Sequence, residues 1–267
     1  MKEFLVHLDG GERAGLRLEV AIDLAKRFGA RLTGLFAQAE SNAPSVVARR
    51  ASDGLNAAAD RISAQFHKAL ADAGVSGQWM RLSHGEPGFV VAETAFCARY
   101  ADMAILGQWE QETSRVPEDL AEEVILQSGR PVLVVPYAGE VASIGNSITI
   151  AWNASREAAR AIHDALPFLK GAREVTVLAV REPDAPAPAA DLPQVNIIEH
   201  LAAHGVRAKV ERLVDEEIGV MDVLLSRAFD LGSDLLVMGA HSGSGLRRGS
   251  GTRFILHHMT LPVLMSN

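Results

Sequence analysis

The chain has 267 residues, 48% of them hydrophobic, and 33 acidic against 26 basic side chains give it a formal charge of −7. That length allows one large or two ordinary domains, and the acidic balance argues against nucleic acid or an anionic membrane as a partner. No apolar run approaches the roughly 18 residues of a membrane span, and the single Cys97 excludes an internal disulfide and a cysteine metal cluster. The opening Met1-Lys2-Glu3-Phe4 has none of the features of a secretory leader, so the expected location is the cytoplasm.

Short apolar runs alternate with helical patterns from the start. Residues 4–8 read as a strand closing at Asp9-Gly10-Gly11, and Leu16, Val20, Ala21 and Leu24 form a helical stripe. A second strand covers 31–36, and an Ala/Arg/Asp-rich helix covers 45–73 before Gly74. Residues 78–82 give a third strand, 89–100 a helix and 103–106 a buried fourth strand ending in Gly107. After a polar loop with Pro117, a helix over 118–127 leads to a fifth strand at 131–135. Five β-α steps of this kind describe a parallel sheet with helices on both faces.

Residues 137–145 form a short linker, and the series then begins again. Strands are expected at 148–152, 175–180, 209–213, 235–238 and 262–265. Helices are expected at 156–169, 195–204 and 220–231, with a last one starting near Thr252. A three-proline loop covers 182–192. Asp9 and Asn153 stand 144 residues apart (153 − 9), while Gly107 and Gly239 stand 132 apart (239 − 107). The spacing shrinks where the second copy has a shorter helix. Two copies of one α/β domain, at 1–138 and 146–267, are the economical account.

The second copy carries a glycine-rich loop, Gly239-Ala240-His241-Ser242-Gly243-Ser244-Gly245-Leu246-Arg247-Arg248-Gly249-Ser250-Gly251, between a buried strand and a helix. Such a loop suits phosphate, because glycines let backbone N–H groups approach and the helix start adds unpaired donors. It also lies at the carboxyl end of a strand, where ligands of open α/β sheets bind. A solvated Gly/Ser surface loop is the plainer reading. The Walker A pattern is absent, G-x-G-x-x-G fails at Arg248, and no G-x-S-x-G elbow is present.

These residues and the ending His258-Met259-Thr260-Leu261-Pro262-Val263-Leu264-Met265 resemble a tandem universal stress protein, two UspA-type domains in one chain. Val237-Met238-Gly239-Ala240-His241, Gly249-Ser250 and Ala151-Trp152-Asn153-Ala154-Ser155 complete the likeness. The resemblance implies two five-stranded parallel sheets in the order 3-2-1-4-5. It also implies a stress-response sensor or regulator that binds ATP or another adenine nucleotide, with magnesium arriving only with the nucleotide. By resemblance the nucleotide would touch Ala151, Trp152, Asn153, Val180, Met238, Gly239, His241, Gly243, Gly249, Ser250 and Gly251. The match departs from G-x2-G-x9-G-[ST]. Ser242 holds the second glycine's place, the loop is three residues short, and Asn153 replaces the aspartate expected at the adenosine end. Arg247 and Arg248 offer compensating charge.

In the first copy Gly107 runs into Gln108-Trp109-Glu110-Gln111-Glu112, whose carboxylates would repel phosphate. That copy is expected to bind no nucleotide, and Asp9 to cap a strand end. His257 and His258 do not share a helix face, so they make a poor metal pair. Cys97 reads as a buried packing residue, and Trp152 either stacks on a base or wedges between strand and helix. No nucleophile–base–acid set stands out, so turnover is not the expected role. A nucleotide-free interaction protein, or a very slow ATPase, are the competing readings. A protein partner is implied but not identified. Both copies end in a proline-led apolar strand at a sheet edge. The sequence therefore suggests that these strands pair as an intrachain pseudo-dimer, with any homodimer using other surfaces.

Overall fold

A computed structural model describes residues 1–40, 51–111, 113–181, 196–215, 219–240 and 250–267. The chain divides into two compact units, Met1–Tyr137 and Ala138–Asn267.

The first unit runs β1 (Glu3–Leu8), α1 (Ala14–Phe28), β2 (Arg31–Phe36), α2 (Asp53–Ala73), β3 (Gly77–Arg81), α3 (Pro87–Ala98), β4 (Met103–Gly107), α4 (Leu120–Ser128) and β5 (Val132–Val135). The second runs β6 (Ser147–Ala151), α5 (Arg156–Leu169), β7 (Glu174–Arg181), α6 (Ile197–Ala203), β8 (Lys209–Val214), α7 (Val220–Asp230), β9 (Leu235–Gly239), α8 (Ser250–His258) and β10 (Val263–Ser266). The first sheet has the order β3-β2-β1-β4-β5 and the second β8-β7-β6-β9-β10, with every pairing within them parallel. Both are the order implied by the resemblance.

Central strands are covered on both faces, which is why they read as unbroken apolar runs. Phe4, Ile105, Leu106, Leu133 and Val134 are fully buried in the first unit, as are Val177, Leu236, Val237 and Leu264 in the second. Each switch point, where the strand order reverses, lies between the first and fourth strands of its unit. In the first unit that is between β1 and β4, and in the second between β6 and β9.

One device recurs at the opposite end of both sheets. Asp102, just before β4, accepts from the amides of Lys2 and Glu3 at the start of β1. Asp234, just before β9, accepts from Gly145, Asn146 and Ser147 at 2.9–3.0 Å and from the Ser143 hydroxyl at 2.7 Å. A carboxylate gathers the amide donors that enter the strand and holds its first residue against the fourth strand.

Several element bounds differ from those read in the sequence. The first residues of the expected 45–73 helix lie outside the described residues. Residues 51 and 52 are not helical, because Ser52 is an extended N-cap whose Oγ accepts from the Leu55 amide at 3.0 Å. Helix α3 begins at Pro87 rather than Phe89, since proline at the first helical position gives up no hydrogen bond. Helix α8 begins at Ser250, two residues before Thr252. Leu16 is only half-buried, and Arg17 takes the core-facing place on α1. Cys97 is half-exposed rather than buried. None of the described helices is long and apolar enough to cross a membrane.

Candidate functional site

In the first unit the end of β1 turns into α1 through Asp9. Its Oδ1 accepts from the Gly11 amide at 2.9 Å, the turn-capping role expected of it. Asp9 is also buried, and Arg17 reaches across from α1 to meet it, Nη2 to Oδ1 at 3.3 Å. Arg17 Nε donates to the His7 carbonyl at 2.7 Å. The guanidinium lies over the end of β4, where a Cβ built on Gly107 would come within 2.1 Å of Nη1. The arginine therefore narrows the switch point from inside the protein.

The charges in this cluster act on one another. Burial works against ionising Asp9, but the Arg17 guanidinium, His7 and the Gly11 amide outweigh it and hold the carboxyl below its ordinary value. His7 is driven the other way. Burial, and after it the Arg17 charge, lower its pKa from 6.5 to about 4, against weaker opposition from Asp9 and the Ala37 carbonyl. His7 is therefore neutral near pH 7, and its Nε2 lies 2.7 Å from the Ala37 carbonyl oxygen. A cleft of about 220 Å³ opens on this cluster, lined by His7, Asp9, Arg17 and Gly107 together with Arg13 and Glu110.

The second unit repeats the turn but not the ion pair. Asn153 Oδ1 accepts from the Ser155 amide at 3.1 Å, the counterpart of Asp9 with Gly11. Ser155 then caps α5, its Oγ accepting from Ala158 N at 3.2 Å. Ala154 between them has φ of 57°, a left-handed conformation that costs an alanine on the order of 1 kcal/mol. Counting 144 residues on from Arg17 reaches Ala161, a small residue facing the core of α5. No arginine enters the β6–β9 switch point from that position.

The backbone closes in instead. A Cβ on Gly239 would stand 2.4 Å from Ala158 N and 2.8 Å from Glu157 Cβ, so the end of β9 lies directly against the first turn of α5. Glu157 is buried there and paired with Arg156 at 2.5 Å. The start of α8 carries no acidic residue in its first turn.

Of the residues named from the sequence, Ala151, Trp152, Asn153, Met238 and Gly239 come together at the carboxyl ends of the adjacent strands β6 and β9. Trp152 is half-buried, with its N–H donating to the Leu178 carbonyl at 2.9 Å. Val180 lies on β7, on the far side of β6. Ser250 and Gly251 open α8, and a Cβ built on Gly251 would stand 3.2 Å from Met221 Cε of α7. His241, Gly243 and Gly249, together with Arg247 and Arg248, lie outside the described residues. His258 stacks on Phe254 at 4.2 Å and bonds to its carbonyl oxygen through Nδ1. Arg17, Ala161 and Glu157 were not singled out from the sequence. The available signal was a lone arginine on the apolar stripe of α1, a place that requires a buried partner.

Comparison with known proteins agrees with this architecture. Residues 146–267 match the model of the Universal stress protein family. A universal stress protein from Archaeoglobus fulgidus DSM 4304 is similar across 99% of this chain and 96% of its own, with 18% identity and a TM-score of 0.76. A putative universal stress protein from Pseudomonas aeruginosa UCBPP-PA14 covers 100% of this chain and 93% of its own at 19% identity and TM-score 0.61. A functionally unknown protein from Pseudomonas aeruginosa PAO1 gives 18% identity and 0.61 over 100% and 92%. No curated protein matches the sequence at a significant level. The sequence match to the family thus covers the second unit, and the full-length structural likeness with the two 3-2-1-4-5 sheets shows that both units share one fold.

Proposed function

We propose that the second unit binds an adenine nucleotide such as ATP at the β6–β9 switch point, and that binding serves sensing or regulation rather than turnover. The observation that carries this reading is the contrast between Arg17 and Ala161. The first switch point holds a buried ion pair, and its counterpart has a methyl group where the arginine would stand. Asn153 and Gly239 border that point, and the glycine-rich residues 241–249 connect β9 to the acid-free start of α8. The backbone donors of Ser250 and Gly251 are the groups best suited to a phosphate there, while the Asn153 amide suits a neutral ribose hydroxyl. Glu157 is the group that works against a phosphate close to Gly239, and it favours a nucleotide whose charge lies toward α8.

Gly249→Val tests the reading directly. With ATP added well above its dissociation constant, the wild type should gain about 3 kcal/mol of apparent stability at a hundredfold excess. The variant should lose that gain while its unliganded melting point stays close to wild type. An unchanged response to ATP would show that the loop is not the site. Titration should give one nucleotide per chain, and two equivalent sites per chain would refute the assignment to the second unit.

A further inference from the structure

Helix α3 has no polar face. Pro87–Ala98 contains one charged residue, Glu93, and buries Val90, Val91, Thr94, Ala95 and Ala98 against its own unit. Its outer side is apolar as well: Phe89 is 47% exposed, Phe96 51%, and Tyr100, just beyond the helix, 70%. A helix that is apolar all round is either fully buried or has a second surface to cover. The counterpart helix α7 differs, carrying Asp222, Arg227 and Asp230, with Arg227 paired to Glu211 and Asp230.

Two charges of opposite sign sit on this stripe. The Arg99 guanidinium lies 5.7 Å from the Phe96 ring centre and donates to the Gln127 carbonyl at 3.3 Å. Glu93 lies toward the other end, its Oε1 3.2 Å from His84 Nε2. The His84 ring stands 5.7 Å from that of Phe89. Phe96 itself meets Tyr100 edge to face at 5.4 Å. The order of these groups is symmetric about Phe96. Glu93 and Arg99 stand three residues either side of it, and the exposed Ala92 and Tyr100 stand four. Helical positions three and four apart share a face, so these five residues look outward together.

We propose that α3 is the contact between two copies of this chain, packed antiparallel across a twofold axis at Phe96. That axis sets Glu93 of each copy against Arg99 of the other, and lays each Tyr100 ring over the other copy's Ala92. The charges select this occupant. An acidic segment would meet Glu93, a basic one would meet Arg99, and an uncharged apolar one would leave both without a counterion. A parallel copy would set Glu93 against Glu93 and Arg99 against Arg99. An antiparallel copy answers both charges, twice over. One helix stripe falls short of the roughly 800 Å² per partner of a standard interface, so the dimer is a weak one. The inference concerns the first unit and does not depend on nucleotide binding in the second.

The test is sedimentation of the full chain without nucleotide, from about 1 to about 200 μM. Monomer and dimer should exchange with a dissociation constant on the order of 10 μM. Phe96→Ser, on the axis, should weaken association by at least about tenfold. Glu93→Arg and Arg99→Glu should each do the same, because each sets like charges face to face in two places. Mixing these two variants is the decisive arm. The mixed pair regains opposite charges in both places and should dimerise at least as well as wild type. Such rescue cannot come from a variant that has failed to fold. Glu19→Arg makes the same charge change as Glu93→Arg on the exposed side of α1, and should leave the dissociation constant within about twofold. Monomer throughout the range overturns the proposal, as does a dimer indifferent to the α3 variants. Equal weakening by Glu19→Arg, or no rescue on mixing, overturns it as well. Flotation of a monomeric chain with phosphatidylcholine vesicles, abolished by Phe96→Ser, would overturn it in favour of a membrane.

Discussion

Arg17 Nη2 and Asp9 Oδ1 stand 3.3 Å apart, with both side chains at least nine-tenths buried. The pair ties α1 to the carboxyl end of β1 and lies over Gly107 at the end of β4. A buried pair of this kind contributes little beyond an apolar replacement, whereas removing one partner strands the other. Arg17→Met should therefore destabilise the first unit by about 3–5 kcal/mol at pH 7. The double variant Arg17→Met with Asp9→Leu should recover part of that loss. Urea unfolding of the three variants measures the coupling, and strictly additive costs would show that the pair does not act as a unit.

Acid should weaken the first unit before its carboxylates titrate. His7 has its pKa lowered from 6.5 to about 4 in the folded protein. Between those values the unfolded chain binds the proton more readily, so stability is greatest above pH 6.5 and falls as the pH drops toward 4. The loss through this one group is at most about 3 kcal/mol. Asp9 adds a further loss below the ordinary carboxylate range, since its folded pKa is lowered. His7→Gln should flatten the profile between pH 6.5 and 4 and leave the steeper fall below it. A wild-type profile already flat in that window would refute the assignment.

Asp234 accepts from three successive amides and one hydroxyl. Asp234→Ala should leave those donors short of an acceptor and cost about 2–4 kcal/mol. Asp234→Asn should cost less, because it keeps one acceptor. Amide exchange supplies the local readout: Asn146 and Ser147 should lose protection in the alanine variant, while Glu3, held by Asp102, should not.

Gly239→Ala places a methyl group 2.4 Å from the backbone of Ala158 and Glu157. Backbone atoms cannot swing aside as a side-chain end can, so β9 or α5 must shift, at about 1–3 kcal/mol. A melting temperature unchanged from wild type would show that the contact is loose in solution.

The two sheets were legible in the sequence because a parallel strand buried on both faces is a continuous apolar run. Ile105 and Leu106 are of this kind, as are Leu236 and Val237, and their order followed from the family resemblance. Helix starts were less legible. Ser52 and Pro87 fix two of them through capping and proline geometry, and the apolar stripes begin a turn later. The site was half-legible. Asp9 and Asn153 were read as equivalent strand ends, and both do accept from the amide two residues on. Arg17 escaped because a surface-type residue at a core position states only that a partner exists, and the partner lies eight residues back along the chain. The exposed Phe96 and half-exposed Cys97 escaped for the opposite reason, since an apolar helix gives no polar stripe from which to choose its buried side.

Gly107 and Gly239 end the fourth strand of their units, and in both a methyl group would collide with something other than a ligand: a guanidinium in one, a helix backbone in the other. The glycine is thus held by the architecture, whether or not a nucleotide ever visits. Selection on folding alone would preserve it in domains that have lost binding. A survey that ranks domains of this fold as binders by that glycine would count the first unit beside the second. One that scores the residue eight positions past the one opening the turn after the first strand, arginine in one unit and alanine in the other, would separate them.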